Sequence, residues 1–217
     1  MDTDIQQVNQ DSVRGFLHRP IGAASDAVVL SHGAGSDSKS RLLVVVADAL
    51  CRAGFVVLRY DLPFRQIRPH GPPMPGHAAR DREGLRSAVN FVRGLGAGRI
   101  VLGGHSYGGR QSSMLAAERA DICDLLLLLS YPLHPPRKPE QLRTEHLPNV
   151  RVPALFVHGT RDPFGSPDEM EAARQLLPGP AVLSLVEGAG HDLSSGKFDL
   201  DGVLLTRISA LMNRDVR

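Results

Sequence analysis

Gly103-Gly104-His105-Ser106-Tyr107-Gly108-Gly109 follows a short apolar run, Ile100 to Leu102, and precedes a segment of helical periodicity that reaches about Arg119. Its centre, Gly104 to Gly108, reads G-x-S-x-G between a predicted strand and a predicted helix. A serine there sits on a tight strand-to-helix turn. Neighbours without side chains let the turn close and let a substrate approach. The helix N-terminus adds a field that favours developing negative charge. Ser106 as a simple helix cap is the bland alternative, and the strand–helix context disfavours it.

Outward from this turn the chain alternates. Buried strands are expected at Ala27 to Leu30, Phe55 to Leu58, Ile100 to Leu102, Leu125 to Leu129, Ala154 to Val157 and Val182 to Val186, with an edge strand at Val13 to Leu17. Helices are expected from about Lys39 to Ala53, Gly76 to Arg93, the turn to Arg119, Pro167 to Leu177, and Leu200 to Met212. Gly54 reads as the stop of the first of these. Such alternation means an α/β fold, with a mostly parallel central sheet of about six to seven strands and helices on both faces. Ligands then bind beyond the carboxyl ends of the strands. Length predicts a single domain over 1–217.

Composition narrows the function classes. With 25 basic and 23 acidic residues the formal net charge is +2. The signs are interspersed and no basic block appears, so neither nucleic acid nor a polybasic membrane anchor is expected as a partner. Nearly all the positive charge is Arg, the lysines being Lys39, Lys138 and Lys197. Cys51 and Cys123 read as buried free thiols, consistent with a reducing compartment. The polar start, Met1 to Gln7, does not read as a signal peptide, and the longest apolar run, Leu125 to Leu129, is too short to span a bilayer. A soluble, cytoplasmic protein is the expectation.

A serine hydroxyl needs a base, and the base needs an orienting carboxylate. His191, in Gly188-Ala189-Gly190-His191-Asp192, lies just past the last predicted strand. Asp162, in His158-Gly159-Thr160-Arg161-Asp162-Pro163, lies just past the fifth. An Asp before a proline is also a favoured turn residue, and both roles can coexist. Its competitors are Asp168, expected in the first turn of a helix where an acid is favoured anyway, and Asp192, which adjoins the histidine. An oxyanion hole needs two preorganised N–H donors. One is expected from Tyr107. The other should come from Ser31-His32-Gly33-Ala34-Gly35, with Ala34 first and Gly33 second.

The loop HGAG, the turn GHSYGG, HGTRD and GAGHD together resemble the α/β-hydrolase superfamily, as does the order Ser106, Asp162, His191. SHGAGSDSKS (31–40), the turn and Ser130-Tyr131-Pro132-Leu133-His134 are similar to a small, lid-less subgroup often labelled dienelactone-hydrolase-like. The resemblance covers about residues 27 to 195. It implies the α/β-hydrolase fold and hydrolase chemistry, without naming a substrate. Dienelactone hydrolases use a cysteine nucleophile; Ser106 here favours an ordinary small-molecule ester. Some relatives serve as non-catalytic components of complexes, and thioester or amide cleavage uses the same triad, so these stand as alternatives.

The segment Ser130 to Arg151, rich in Pro and charge, is too short to bury a core, so no cap domain is expected over the site. Tyr131 and His134 are candidates to line the pocket. His32, His105 and His158 read as structural hydrogen-bonders; their spacing lacks a metal pattern, and no metal is expected. Arg59, Tyr60, Asp61 and Arg65 follow the second buried strand and are candidates to border the entrance; an Arg there could pair with a substrate carboxylate, but solvated loop arginines are expected, and the loop Asp61 to Gly76 reads as stiffened by proline. No dinucleotide fingerprint or P-loop appears, so no cofactor is implied.

Overall fold

The five leucines Leu125–Leu129 form a strand, β6, whose alternate side chains serve two separate cores. Leu126 and Leu128 pack on one face of the sheet; Leu125, Leu127 and Leu129 pack on the other. That is the two-residue period of a strand covered on both sides. The computed structural model describes residues 4–10, 12–74, 76–193 and 200–213. Pro75 of the proline-rich loop and the first three residues of the polar start lie outside them.

The strands are β1 (Asp4–Gln10), β2 (Val13–Arg19), β3 (Asp26–Ser31), β4 (Val56–Tyr60), β5 (Arg99–His105), β6, β7 (Ala154–Gly159) and β8 (Ala181–Val186). They form an eight-stranded sheet in the order β1-β2-β4-β3-β5-β6-β7-β8. From β4 to β8 neighbouring strands are parallel; β1 and β2 are a hairpin added antiparallel to β4. The helices are α1 (Arg41–Arg52), α2 (Pro63–Ile67), α3 (His77–Gly94), α4 (Tyr107–Glu118), α5 (Pro167–Arg174) and α6 (Leu200–Met212). Helices α1 and α6 cover the face of Val28, Leu30, Val57 and Leu127. Helices α2 to α5 cover the face of Val29, Leu58, Leu102 and Phe156.

Two expectations are corrected. The edge strand is β1, outside Val13–Arg19, so the sheet has eight strands rather than six or seven. In β1 only Val8 is buried; its neighbours are exposed and, Ile5 apart, polar. Ladder hydrogen bonds are made by backbone, so a polar edge strand leaves no apolar signal to read. The stretch after β4 is not a bare loop either. Pro63 occupies the first turn of α2, where a missing N–H costs nothing.

The chain steps from β3 to β4 on one side and reaches β5 on the other, so a crevice opens at the carboxyl ends of β3 and β5. Ser31 pairs with Gly104 there, bringing the loop after β3 beside Ser106. The β6–β7 connection carries only one 3₁₀ turn, Leu147–Asn149, and no cap.

Candidate active site

Ser106 sits at φ 51°, ψ −115°, a conformation L-residues rarely adopt. Such strain costs about 1–3 kcal/mol and persists only where the surroundings over-determine it. Here they do: the Ser106 N–H donates to Leu129 O (2.8 Å), and the Gly108 N–H to His32 O (3.1 Å). Two glycines permit the approach. A Cβ on Gly104 would stand 2.2 Å from Ser31 O, and one on Gly108 would stand 2.7 Å from His32 O. A side chain at Gly104 would push β5 away from β3, and one at Gly108 would push the start of α4 off the loop after β3.

Asp162 follows β7 and is buried. Its Oδ1 accepts from the Phe164 N–H (2.9 Å), which is the turn geometry expected of an Asp before Pro163. Its Oδ2 faces His191 Nδ1 at 2.8 Å. His191 Nε2 lies 2.9 Å from Ser106 Oγ. With the proton on Nδ1, held by the carboxylate, Nε2 is free to accept from the serine. The ring is held from other sides too. Phe164 lies against it at 4.2 Å between centroids, and His105 Nε2–H donates to the His191 carbonyl (2.8 Å). Asp168 is instead in the first turn of α5, beside the reciprocal Ser166–Glu169 cap. Asp192 is exposed beside His191.

The loop after β3 is fixed by its carbonyls. His32 Nδ1–H donates to Gly33 O (2.8 Å), which also accepts from the Ser36 N–H (3.1 Å). The peptide is trans, so the Ala34 N–H points opposite to that anchored carbonyl. The Leu62 N–H donates to His32 Nε2 (3.1 Å), which fixes the neutral Nδ1–H tautomer. Arg65 then clamps the loop from outside. Its guanidinium donates to Ser36 O (2.7 Å), Ala34 O (3.0 Å), Arg68 O (3.0 Å) and Gly71 O (2.9 Å). The expected solvated arginine is therefore a buried brace. Arg59 is buried as well, donating to His18 Nε2 (2.8 Å) and Ser38 O (2.6 Å).

Tyr107 begins α4, where its N–H has no intrahelical acceptor. Its hydroxyl donates to the buried Asp81 (2.7 Å), which also accepts from the Phe64 N–H (3.0 Å). Burial raises the Asp81 carboxyl above the usual range, against these two donors. The Phe64 ring lies edge-on to both His32 (5.5 Å) and Tyr107 (5.7 Å). Helix α2 thus braces both sides of the candidate oxyanion site, a role with no signal in the sequence.

His32, His105 and His158 are structural, and burial chiefly pulls each ring below the ordinary imidazole range. His158 Nε2–H donates to Gly165 O (2.9 Å). Among the described residues no cluster of three or more His, Cys, Asp or Glu could hold a metal, and no helix is long and apolar enough to cross a membrane. Cys51 and Cys123 are buried and unpaired.

A cavity of about 570 Å³ opens at Ser106. Gly33, Ala34 and Tyr107 line it, as expected of the candidate oxyanion residues. Tyr131 and His134 do not, which corrects the sequence reading. Ser130 takes φ 49° at the end of β6 and turns the chain, so Tyr131 drops into the core against Phe156. His134 turns toward its own loop, with Nδ1 bonded to Pro135 O (2.8 Å) and Nε2 3.4 Å from Glu169. Pro132, between them, lines the cavity instead, with Phe164, Arg110 and Arg143. Arg110 was legible in principle, four residues beyond Ser106 and so on the same helical face. Arg143 had no signal.

Parallel sheet, strained serine turn and the Asp162–His191–Ser106 hydrogen-bond chain define the class of α/β-hydrolase folds. Residues 24–203 match the Alpha/beta hydrolase domain family (Abhydrolase_11), and the chain belongs to it. Among solved structures it is similar to a dienelactone hydrolase from Anabaena variabilis, with TM-score 0.76 and 21% identity over 96% of both chains. It is similar to Est1E from Butyrivibrio proteoclasticus, with TM-score 0.70 and 17% identity over 96% of this chain and 97% of that one. It also resembles the Pyrococcus furiosus esterase Pf2001, with TM-score 0.73 and 14% identity over 98% of this chain and 92% of that one. At these identities the likeness is one of fold.

Proposed function

We propose that this protein is a serine hydrolase of carboxylic esters, with Ser106 as nucleophile, His191 as general base and acid, and Asp162 as its orienting carboxylate. The observation that carries the reading is the unbroken chain from Asp162 to His191 (2.8 Å) to Ser106 (2.9 Å), ending on a strained serine at the mouth of a cavity. Ser106 Oγ attacks the ester carbonyl while His191 Nε2 takes its proton. Asp162 keeps Nδ1 protonated and stabilises the imidazolium. The Tyr107 and Ala34 N–H groups, with Gly33 beside them, hold the oxyanion. Loss of one such donor costs about 3 kcal/mol of transition-state stabilisation. His191 returns the proton to the leaving alcohol, and water, activated by His191, releases the acid.

Structural neighbours that are esterases support an ester substrate; Est1E has also been solved with ferulic acid bound. The absence of a cap over the β6–β7 connection suits small esters better than long acyl chains. Hydrolysis of 4-nitrophenyl acetate and butyrate by wild type, Ser106→Ala and His191→Ala tests the reading. Turnover that falls about ten-thousandfold or more in both variants is expected. Turnover that survives Ser106→Ala would place the chemistry elsewhere.

A further inference from the structure

The cavity at Ser106 carries more positive charge than the proposed ester chemistry requires. Arg110 and Arg143 both line it, and none of its described lining residues is acidic. Neither arginine makes an ion pair among the described residues. Glu145 borders an adjoining hollow with both, yet lies beyond ion-pair distance of either guanidinium. Two fixed like charges facing one cavity repel each other, and a folded protein keeps such a pair only at a cost.

Both arginines are also built in rather than draped on the surface. The Arg110 backbone N–H donates to the Ser106 carbonyl (3.0 Å), so its side chain leaves α4 one turn beyond the nucleophile. Its Nε is buried, and its guanidinium stands beside the buried Tyr131 hydroxyl. Arg143 is pinned at its backbone from both ends. Its N–H donates to Leu133 O (2.8 Å), and its carbonyl accepts from the buried Tyr131 hydroxyl (2.6 Å). Its Nη1 reaches Pro132 O (3.2 Å). The inward turn of Tyr131 therefore has a consequence at the pocket: it fixes where Arg143 stands. Burial and the neighbouring Arg110 both press on the Arg143 charge.

A planar guanidinium pair matches a carboxylate, which it can grip with parallel hydrogen bonds. We propose that Arg110 and Arg143 form an anion subsite, and that the substrate is an ester bearing a free carboxylate, a half-ester of a dicarboxylic acid. This rests on the reading of Ser106 as nucleophile. The subsite would hold the distal carboxylate while the ester carbonyl lies at Ser106. In the reaction the acyl–oxygen bond breaks and Ser106 Oγ takes the acyl group. The alcohol leaves with the proton from His191. One water then adds its hydroxyl to the acyl carbon and returns a proton to Ser106 through His191. The products are the alcohol and the free diacid.

The test compares pairs matched in carbon-chain length: the mono-4-nitrophenyl esters of glutarate and adipate against 4-nitrophenyl pentanoate and hexanoate. Wild type should favour the anionic member at least tenfold in kcat/KM. Arg143→Gln and Arg110→Gln should each lose tenfold or more on the anionic esters, mainly through KM, and less than threefold on the neutral ones. Neutral-ester turnover is the internal control for folding, and Arg143→Lys should recover part of the loss. Glutarate binding to Ser106→Ala, read by calorimetry, separates this proposal from the catalytic one. Binding there that vanishes in the Ser106→Ala, Arg143→Gln double variant supports the subsite even if no ester turns over. Equal turnover of neutral and anionic esters, equal losses on both, or tighter binding of inorganic phosphate than of glutarate would overturn it.

Discussion

Arg65 and the Arg110–Arg143 pair serve the same site and are used in opposite ways. Arg65 is buried and spends its donors on four backbone carbonyls, two of them in the loop that holds Ala34. Arg110 and Arg143 face the cavity, and Arg143 Nη1 spends one bond on Pro132 O. A buried arginine that spends four of its five N–H donors on backbone carbonyls is scaffold, because little is left to meet a ligand. An arginine with an open fork toward a cavity is a recognition element. The sequence does not distinguish them; the acceptor geometry does.

The contrast breaks first at Arg65. Arg65→Met should cost about 2–3 kcal/mol of stability, because part-buried carbonyls lose a charged donor. It should also lower kcat about a hundredfold on every ester, whatever its charge, as an oxyanion donor drifts. Arg65→Lys should rescue little, since one ammonium cannot reach all four acceptors. Denaturant melts and kinetics on neutral and anionic esters check this together; a loss confined to anionic esters would put Arg65 in the wrong class.

The next effect sharpens the positive side of the site. His146, bonded to Ser113 Oγ, is pushed down to about 4 by burial first and then by Arg110 and Arg82. Its ring is neutral when folded and free to protonate when unfolded. Between pH 6.5 and about 4 the unfolded state therefore binds the extra proton, and stability falls as pH falls, by about 3 kcal/mol for this group. Above pH 6.5 it contributes no slope. Melts from pH 7.5 to 4 should show the fall, and Arg110→Gln should shallow it. An unchanged slope would detach His146 from the arginine pair.

Smaller again, glutarate should raise the melting temperature of wild type by a few degrees and leave Arg143→Gln unmoved. The variant alone should melt within a few degrees of wild type, unlike Arg65→Met. Smallest is Tyr107→Phe. It removes one donor to Asp81 and should cost about 1 kcal/mol, with turnover nearly unchanged because the Tyr107 N–H remains. A large loss of kcat would mean the side chain, rather than the backbone, serves the reaction.

What could be read in the sequence was what side-chain pattern specifies. The bounds of β6 and α6 match the periodicity, and Ser106, Asp162 and His191 meet in one hydrogen-bond chain. Each follows a strand, so parallel topology alone carries them to one end of the sheet. Features decided by backbone or by three-dimensional acceptors were not legible. Strand β1 pairs through its backbone with polar side chains, and α2 hides behind a proline-rich composition. Tyr131 and His134 depend on the turn at Ser130, and Arg65 on carbonyls that the fold gathers around it.

The central claim is an activated serine at residue 106, and covalent labelling tests it most directly. Wild type and Ser106→Ala would be treated with a fluorophosphonate probe and read by intact mass, with Arg143→Gln as a folded control. The account predicts a single adduct on wild type and on Arg143→Gln, and none on Ser106→Ala. No adduct on folded wild type, or an adduct that persists in Ser106→Ala, would contradict it.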